Sequence, residues 1–81
     1  MEILYKKSFL KKFEKYERKL QEQIDRAIDA LPHGDVVVLK GKRTPKLYRL
    51  RVRDVRVLFS MTEYEITIWD IDSRGDIYKS I

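Results

Sequence analysis

The chain has 81 residues and no cysteine, so the sequence predicts one domain, residues 1–81, that no disulfide stabilises. This length leaves no room for a second hydrophobic core, and no apolar stretch approaches the length of a membrane span. The first residues are too charged for a signal peptide. We therefore expect a cytoplasmic protein that does not bind a membrane.

The formal net charge is +5, and the positive charge is concentrated in one segment. Between positions 40 and 56 only Asp54 is acidic, and the basic residues are Lys40, Lys42, Arg43, Lys46, Arg49, Arg51, Arg53 and Arg56. A one-sided excess of this kind is typical of a surface that binds an anionic partner, most often a nucleic acid. The alternative is a basic chain that its charge merely keeps soluble.

The N-terminal elements follow from the spacing of apolar residues. Residues 2–6 predict a first strand, Ser8 is a candidate N-cap, and a helical pattern begins at Phe9. One apolar stripe with helical spacing comprises Phe9, Phe13, Tyr16, Leu20, Ile24, Ala27 and Leu31. Neither proline nor glycine interrupts the run before Pro32 and Gly34, so its periodicity fits one long helix or two shorter helices.

Beyond Gly34 the apolar residues alternate, which predicts four further strands. Their segments are DVVVLKG (35–41), KLYRLRV (46–52), VRVLFSM (55–61) and EITIWDI (65–71). The second and third segments flank Arg53 and Asp54 as an antiparallel hairpin. The predicted architecture is α+β, with a first strand, a helical segment and a meander whose one face covers the helices.

The alternation also assigns the hairpin side chains to the two faces of the sheet. Towards the core we expect Tyr48, Leu50, Val52, Val55, Val57, Phe59 and Met61. Away from the core we expect Arg49, Arg51, Arg53, Arg56, Leu58 and Ser60. Like charges that face each other across strands destabilise a sheet, so this arrangement is better explained by a ligand. Guanidinium groups bind phosphate oxygens in a bidentate way.

Several kinds of active site are disfavoured by the residues that the chain contains. His33 is the sole histidine, which excludes a nuclease that uses two histidines as acid and base. Asp70 and Asp72 fall on one face of a strand, yet ion pairs with Arg74 or Lys79 explain them more simply than a magnesium site. Gly-rich phosphate loops, zinc-ligand spacings and nucleophile elbows are absent, so we expect no metal and no cofactor.

A metal-free cleavage of RNA can be built from the arginines Arg49, Arg51, Arg56 and Arg74 together with Tyr78. The 2′-hydroxyl attacks the adjacent phosphorus, and fixed cations stabilise the negative charge that grows on the non-bridging oxygens. Cations around Tyr78 would lower the pKa of its phenol and make it a possible general base. An aromatic anchor for the C-terminal segment is an equally good interpretation of Tyr78.

The hairpin KLYRLRVRDVRVLFSM, followed by IDSRGDIYK, resembles the RelE/ParE superfamily of toxins from toxin–antitoxin pairs. The resemblance implies a β-α-α-β-β-β fold, in which a curved antiparallel sheet packs on an N-terminal helical hairpin that breaks near residues 16–18. RelE-like members cut mRNA in the ribosomal A site without metal and leave a 2′,3′-cyclic phosphate. A cognate antitoxin wraps and silences them.

Carried over by position, the resemblance implies that Arg56, Arg74 and Tyr78 are catalytic. Arg49 and Arg51 stand where RelE-like enzymes often have lysines, and an arginine effectively cannot act as a base. We therefore expect them to bind the substrate phosphate, together with Lys46 from the basic loop, and we expect Tyr78 to be the base.

Two alternatives share this fold. ParE-like members poison DNA gyrase instead and usually lack the cationic catalytic set. A non-catalytic homologue that binds RNA or the ribosome is the other alternative.

The hairpin turn departs from the family pattern as well, since Arg53 stands where relatives often have glycine.

Overall fold

A computed structural model describes residues 2–41 and 46–73 of the chain. In chain order these residues form β1 (Glu2–Tyr5), α1 (Lys7–Phe13), α2 (Arg18–Asp29), β2 (Val36–Val38), β3 (Tyr48–Val52), β4 (Val55–Met61) and β5 (Glu65–Asp72). The strands form a five-stranded sheet in the order β1-β5-β4-β3-β2. Strand β1 runs parallel to β5, whereas β2–β3, β3–β4 and β4–β5 are antiparallel. The predicted α+β class is confirmed, but the sheet is mixed, whereas an antiparallel sheet was expected.

The number of strands after the helices agrees with the alternation in the sequence and not with the β-α-α-β-β-β order of the family. Four strands follow α2, one more than that order contains. Strand β4 has the predicted bounds, whereas β2 is only three residues long, within the predicted 35–41. No helix in the described ranges is long and apolar enough to cross a membrane.

The helical region contains two helices, with the break that the family resemblance implied. Helix α1 ends at Phe13 and α2 begins at Arg18. The side-chain amide of Gln21 donates hydrogen bonds to the carbonyl oxygens of Phe13 and Tyr16, both at 3.0 Å. The Phe13 carbonyl also accepts the backbone N–H of Tyr16 at 3.1 Å, so Gln21 adds a second hydrogen bond to the turn that follows α1. The break therefore needs neither proline nor glycine, which explains why the periodicity could not locate it.

The prediction of Ser8 as the N-cap of α1 is wrong. The N-cap is Lys6, whose backbone is extended and whose side chain makes no capping hydrogen bond. The hydroxyl of Ser8 instead donates to the backbone carbonyl of Trp69 at 2.6 Å. Strand β1 pairs with β5 only as far as Tyr5 and Ile68, so Ser8 ties α1 to the part of β5 beyond this pairing.

One face of the sheet packs against the helices and forms the core. The buried core residues are Phe9, Ile24, Ile28, Leu50, Val52, Val55, Val57, Phe59, Ile66, Ile68 and Ile71. The helical stripe is confirmed, because its other members pack against this core as partly buried side chains: Phe13, Tyr16, Leu20, Ala27 and Leu31. The stripe omitted Ile28, which is fully buried.

The pairing of β4 with β5 contains a β-bulge. Leu58 pairs with Asp70, but the next residue, Phe59, pairs with Ile68, so Trp69 is an extra residue in β5. Ile68 and Ile71 both remain in the core. The bulge therefore places Trp69 and Asp70 together on the opposite face of the sheet, called the outer face from here on.

Candidate nucleic-acid interface on the outer face

Three of the predicted arginines share the outer face. Arg51 lies directly opposite Arg56 across the β3–β4 ladder, and Arg49 lies opposite Leu58. Arg51 is exposed, whereas Arg49 and Arg56 are half-buried. Side chains at directly opposite positions have their Cβ atoms about 5 Å apart, so the guanidinium groups of Arg51 and Arg56 repel each other.

Arg49 forms an ion pair at the edge of the arginine row. Its Nη2 lies 3.7 Å from Oδ1 of Asp35, in the segment before β2, and its side chain is 24% exposed. Its Nε is buried and has no hydrogen-bond acceptor in the described part of the chain. A buried donor without an acceptor costs about 1–3 kcal/mol, so this side chain is costly to the fold where it stands.

Arg53 does not belong to the arginine row of β3, contrary to the sequence prediction. Strand β3 ends at Val52, and Val52 pairs with Val55, so Arg53 and Asp54 form a two-residue turn. Arg53 has a φ of 54°, in the left-handed region. Strand alternation does not apply to such a residue. Its carbonyl oxygen accepts a hydrogen bond from Nε of Arg51 at 3.3 Å, which orients that guanidinium.

Leu58 and Ser60 point away from the main core, as predicted, but neither is exposed. The register places both on the outer face, yet Leu58 is 0% and Ser60 is 7% exposed. The Ser60 hydroxyl accepts a hydrogen bond from the indole Nε1 of Trp69 at 2.8 Å. Alternation determines the face on which a side chain lies, but not whether that face is covered. The outer face therefore has a buried centre between its charged residues.

The β5 side of the outer face is acidic. Asp70 is buried, and Nζ of Lys12 lies 3.1 Å from Asp70 Oδ1 and 4.0 Å from Asp72 Oδ2. Sequence reasoning missed Lys12, because its reach from α1 to β5 depends on how that helix follows β1. Burial, together with the charges of Asp72 and Asp70, raises the pKa of Tyr16.

Some of the remaining predicted residues lie outside the part of the chain that the structure describes. Arg74 and Tyr78 lie outside the described residues, as does Lys79, so their predicted roles stay predictions. Lys46 is exposed two residues before β3, and His33 is an exposed turn residue. Within residues 2–41 and 46–73, no three acidic, histidine or cysteine side chains lie close enough to hold a metal ion.

No family model matches this chain, and no curated protein matches it. Solved structures do match, over most of its length. A chain of the archaeal RelE–RelB complex from Pyrococcus horikoshii OT3 is 24% identical, with a TM-score of 0.77, and the match covers 93% of this chain and 96% of that one. A chain of the RelB–RelE antitoxin–toxin complex from Methanococcus jannaschii is 20% identical, with a TM-score of 0.75 and coverage of 96% and 98%.

A copper-bound mutant toxin from Helicobacter pylori is 18% identical, has a TM-score of 0.66, and is matched over 95% of this chain and 98% of its own. At these identities the matches establish the fold and leave the activity to be argued from the residues. The chain therefore has the fold of the RelE-like toxins, as its hairpin sequence indicated.

Proposed function

We propose that this protein is the toxin of a toxin–antitoxin pair and that it cleaves mRNA in the ribosomal A site. The observation that carries the proposal is the placement of Arg51 directly opposite Arg56. Arg56 also has Asp72 opposite it on β5, whereas Arg51, at the exposed end of this row, faces only a like charge across the β3–β4 ladder. A phosphate bound between the two guanidinium groups would turn their repulsion into attraction. The RelB partners of the two archaeal structures support the expectation of a cognate antitoxin.

The proposed reaction needs neither a metal nor a cofactor. The 2′-oxygen attacks the adjacent phosphorus, the bond to the 5′-oxygen breaks, and the products are a 2′,3′-cyclic phosphate and a 5′-hydroxyl. Arg51 and Arg56 stabilise the charge on the non-bridging oxygens, and Arg49, half-buried on the same face, adds its positive charge. Lys46 binds a neighbouring phosphate.

Proton transfer is assigned to residues outside the described part of the chain. An arginine effectively never loses its proton, so Arg49 and Arg51 cannot take over the basic role that a lysine could fill. Tyr78, as its phenolate, is proposed to accept the proton of the 2′-hydroxyl. Arg74 is proposed to stabilise the charge on the leaving 5′-oxygen, which takes its proton from water.

Primer extension on an mRNA translated in vitro tests this proposal. Wild-type protein should produce cuts inside A-site codons only when ribosomes are present. Arg56→Ala should lower the cleavage rate about 100- to 1000-fold, the usual effect of removing one preorganised donor to a developing anion. Tyr78→Phe should also lose cleavage. Arg18→Ala is the matched control, because Arg18 is 91% exposed on α2, away from the outer face, and should leave the rate unchanged.

Other outcomes identify the alternatives. Intact mRNA together with trapped gyrase–DNA cleavage complexes would replace the proposal with a ParE-like activity, and Arg56 would then be dispensable. Intact mRNA together with stable binding to ribosomes would indicate a non-catalytic RNA-binding homologue. Cleavage by Tyr78→Phe at the wild-type rate would remove Tyr78 from the mechanism but leave the endoribonuclease in place.

A further inference from the structure

Trp69 is the sole tryptophan of the chain and lies outside the main core. The bulge of β5 places it on the outer face beside Asp70, where it is half-buried. Its indole nitrogen donates to the Ser60 hydroxyl at 2.8 Å, and its carbonyl accepts from Ser8 at 2.6 Å. The backbone and the ring are therefore both fixed, so the indole is a preorganised flat surface.

The ring of Trp69 already binds a cation. Nζ of Lys6 lies 5.0 Å from the ring centroid, and Lys6 is itself exposed. A cation–π contact at an exposed site is worth only about a two- to fivefold factor in an equilibrium constant. Stacking of a nucleic-acid base on an aromatic ring is worth about 5- to 150-fold. A base can therefore displace Lys6, whose ammonium group is then free to contact a phosphate of the same strand.

Trp69 also lies at a suitable distance from the paired arginines. It adjoins Asp70, which is opposite Leu58, and Leu58 is two residues from Arg56 on β4. Strand geometry puts the Cα atoms of Trp69 and Arg56 roughly 10 Å apart on the same face. A single strand whose phosphates contact Arg51 and Arg56 can therefore bring a nearby base over the indole.

We infer that Trp69 is a stacking platform for a base of single-stranded RNA whose backbone is bound by Arg51 and Arg56. The inference rests on the proposed function for the nature of the ligand, and it adds a base-binding subsite to the phosphate site. Stacking tolerates any base, and its strength follows the size of the base. The subsite should therefore favour a purine over a pyrimidine.

The fluorescence of the sole tryptophan reports directly on this subsite. Purified wild-type protein is titrated at low salt with oligoadenylate, oligouridylate and inorganic polyphosphate of matched charge. Oligoadenylate should quench the emission most and oligouridylate less, whereas polyphosphate should leave it nearly unchanged because it carries no base. Equal changes with all three ligands would overturn the inference, as would the absence of any oligoadenylate binding.

Two substitutions separate stacking from a structural role. Trp69→Leu should weaken binding of end-labelled oligoadenylate about 5- to 150-fold and leave polyphosphate affinity unchanged. Trp69→Phe retains an aromatic face but loses the hydrogen bond to Ser60, so it should keep most of the affinity. If Trp69→Leu weakens polyphosphate binding to the same extent, the role of Trp69 is structural and the inference fails.

The cleavage assay on ribosomes judges the proposed function independently. Base-dependent quenching by a protein that does not cut mRNA would uphold the stacking platform and reject the endoribonuclease. Cleavage by a protein whose tryptophan does not respond to bases would do the reverse.

Discussion

The charged residues on the two sides of the outer face differ in their partners: on one side like charges face each other, and on the other an acid is paired with a lysine. On β3 and β4, Arg51 and Arg56 face each other as like charges. On β5, Asp70 is buried against the ammonium group of Lys12 from α1. Leu58, fully buried, lies opposite Asp70, and the two sides meet where Arg56 lies opposite Asp72.

The two sides should therefore differ in their contribution to the free energy of unfolding: the paired acid raises it, and the opposed arginines lower it. A paired, buried carboxylate contributes to stability, and its loss should be measurable as a lower free energy of unfolding. Opposed arginines subtract from stability, so removal of Arg51, which has no acid opposite it on β4, should raise the free energy of unfolding. The sign of the change in unfolding free energy therefore tells which side of the outer face belongs to ligand binding.

The largest effect is expected at the boundary between the two sides. Leu58→Ala should lower the free energy of unfolding by about 3 kcal/mol, because it removes a fully buried side chain and leaves a cavity. Urea denaturation measures this change. Leu10→Ala is the control, since Leu10 is 47% exposed and should lose well under 1 kcal/mol. Equal effects at the two positions would mean that the centre of the outer face is open to solvent.

On the acidic side, Asp70→Asn should lower the free energy of unfolding by about 2 kcal/mol, because it removes a charge-assisted hydrogen bond at a buried site. Thermal and urea denaturation at neutral pH measure it. Glu22→Gln is the control, since it breaks the exposed pair of Glu22 with Arg18, whose atoms are 3.9 Å apart, and should cost under about 0.5 kcal/mol. An unchanged stability for Asp70→Asn would place Asp70 with the ligand-binding charges instead.

On the arginine side, the turn should respond with the opposite sign. Arg53→Gly should raise the free energy of unfolding by about 1 kcal/mol, because glycine adopts a φ of 54° without the steric cost that a Cβ imposes. Asp54→Gly is the matched control. Among the described non-glycine residues only Arg53 has a positive φ, so glycine at position 54 should lower stability. A loss of stability in both variants would show that the turn is not strained.

The smallest effect is expected from relieving the repulsion itself. Arg51→Thr should raise the free energy of unfolding by about 0.5 kcal/mol, and Arg51→Lys, which keeps the charge, should not. Added polyphosphate should stabilise the wild type more than Arg51→Thr, as shown by the shift in melting temperature. If Arg51→Thr is less stable than the wild type even without anions, the arginine pair is not a cost to the fold.

Much of the fold could be predicted from the sequence because it depends on local periodicity. The helical stripe and the alternation in residues 46–61 were sufficient to place the core and the hairpin. The break between α1 and α2 required a different kind of information. It is held by backbone hydrogen bonds of the turn and by the amide of Gln21, which reaches back to two carbonyl oxygens, and such contacts leave no mark in composition.

The site was predictable only in part, for a similar reason. Alternation identified Arg49, Arg51 and Arg56 as neighbours on one face, and the register agrees. It did not predict the buried state of Leu58, since burial depends on what covers the sheet. Trp69 was missed because its contacts with Ser60 and Lys6 depend on the register of β4 with β5 and on the chain after β1, which alternation does not give.

The two edge strands of the sheet are its shortest, with four residues in β1 and three in β2. The longer strands β4 and β5 lie in the middle of the sheet. Short edges offer few unpaired backbone groups to a strand from another molecule. Helix α1 lies alongside β5 beyond the end of β1, where Ser8 reaches the Trp69 carbonyl. The strand order therefore disfavours edge-to-edge association of sheets from different molecules. If such association occurs at high concentration, we expect it at β2, whose valines are exposed.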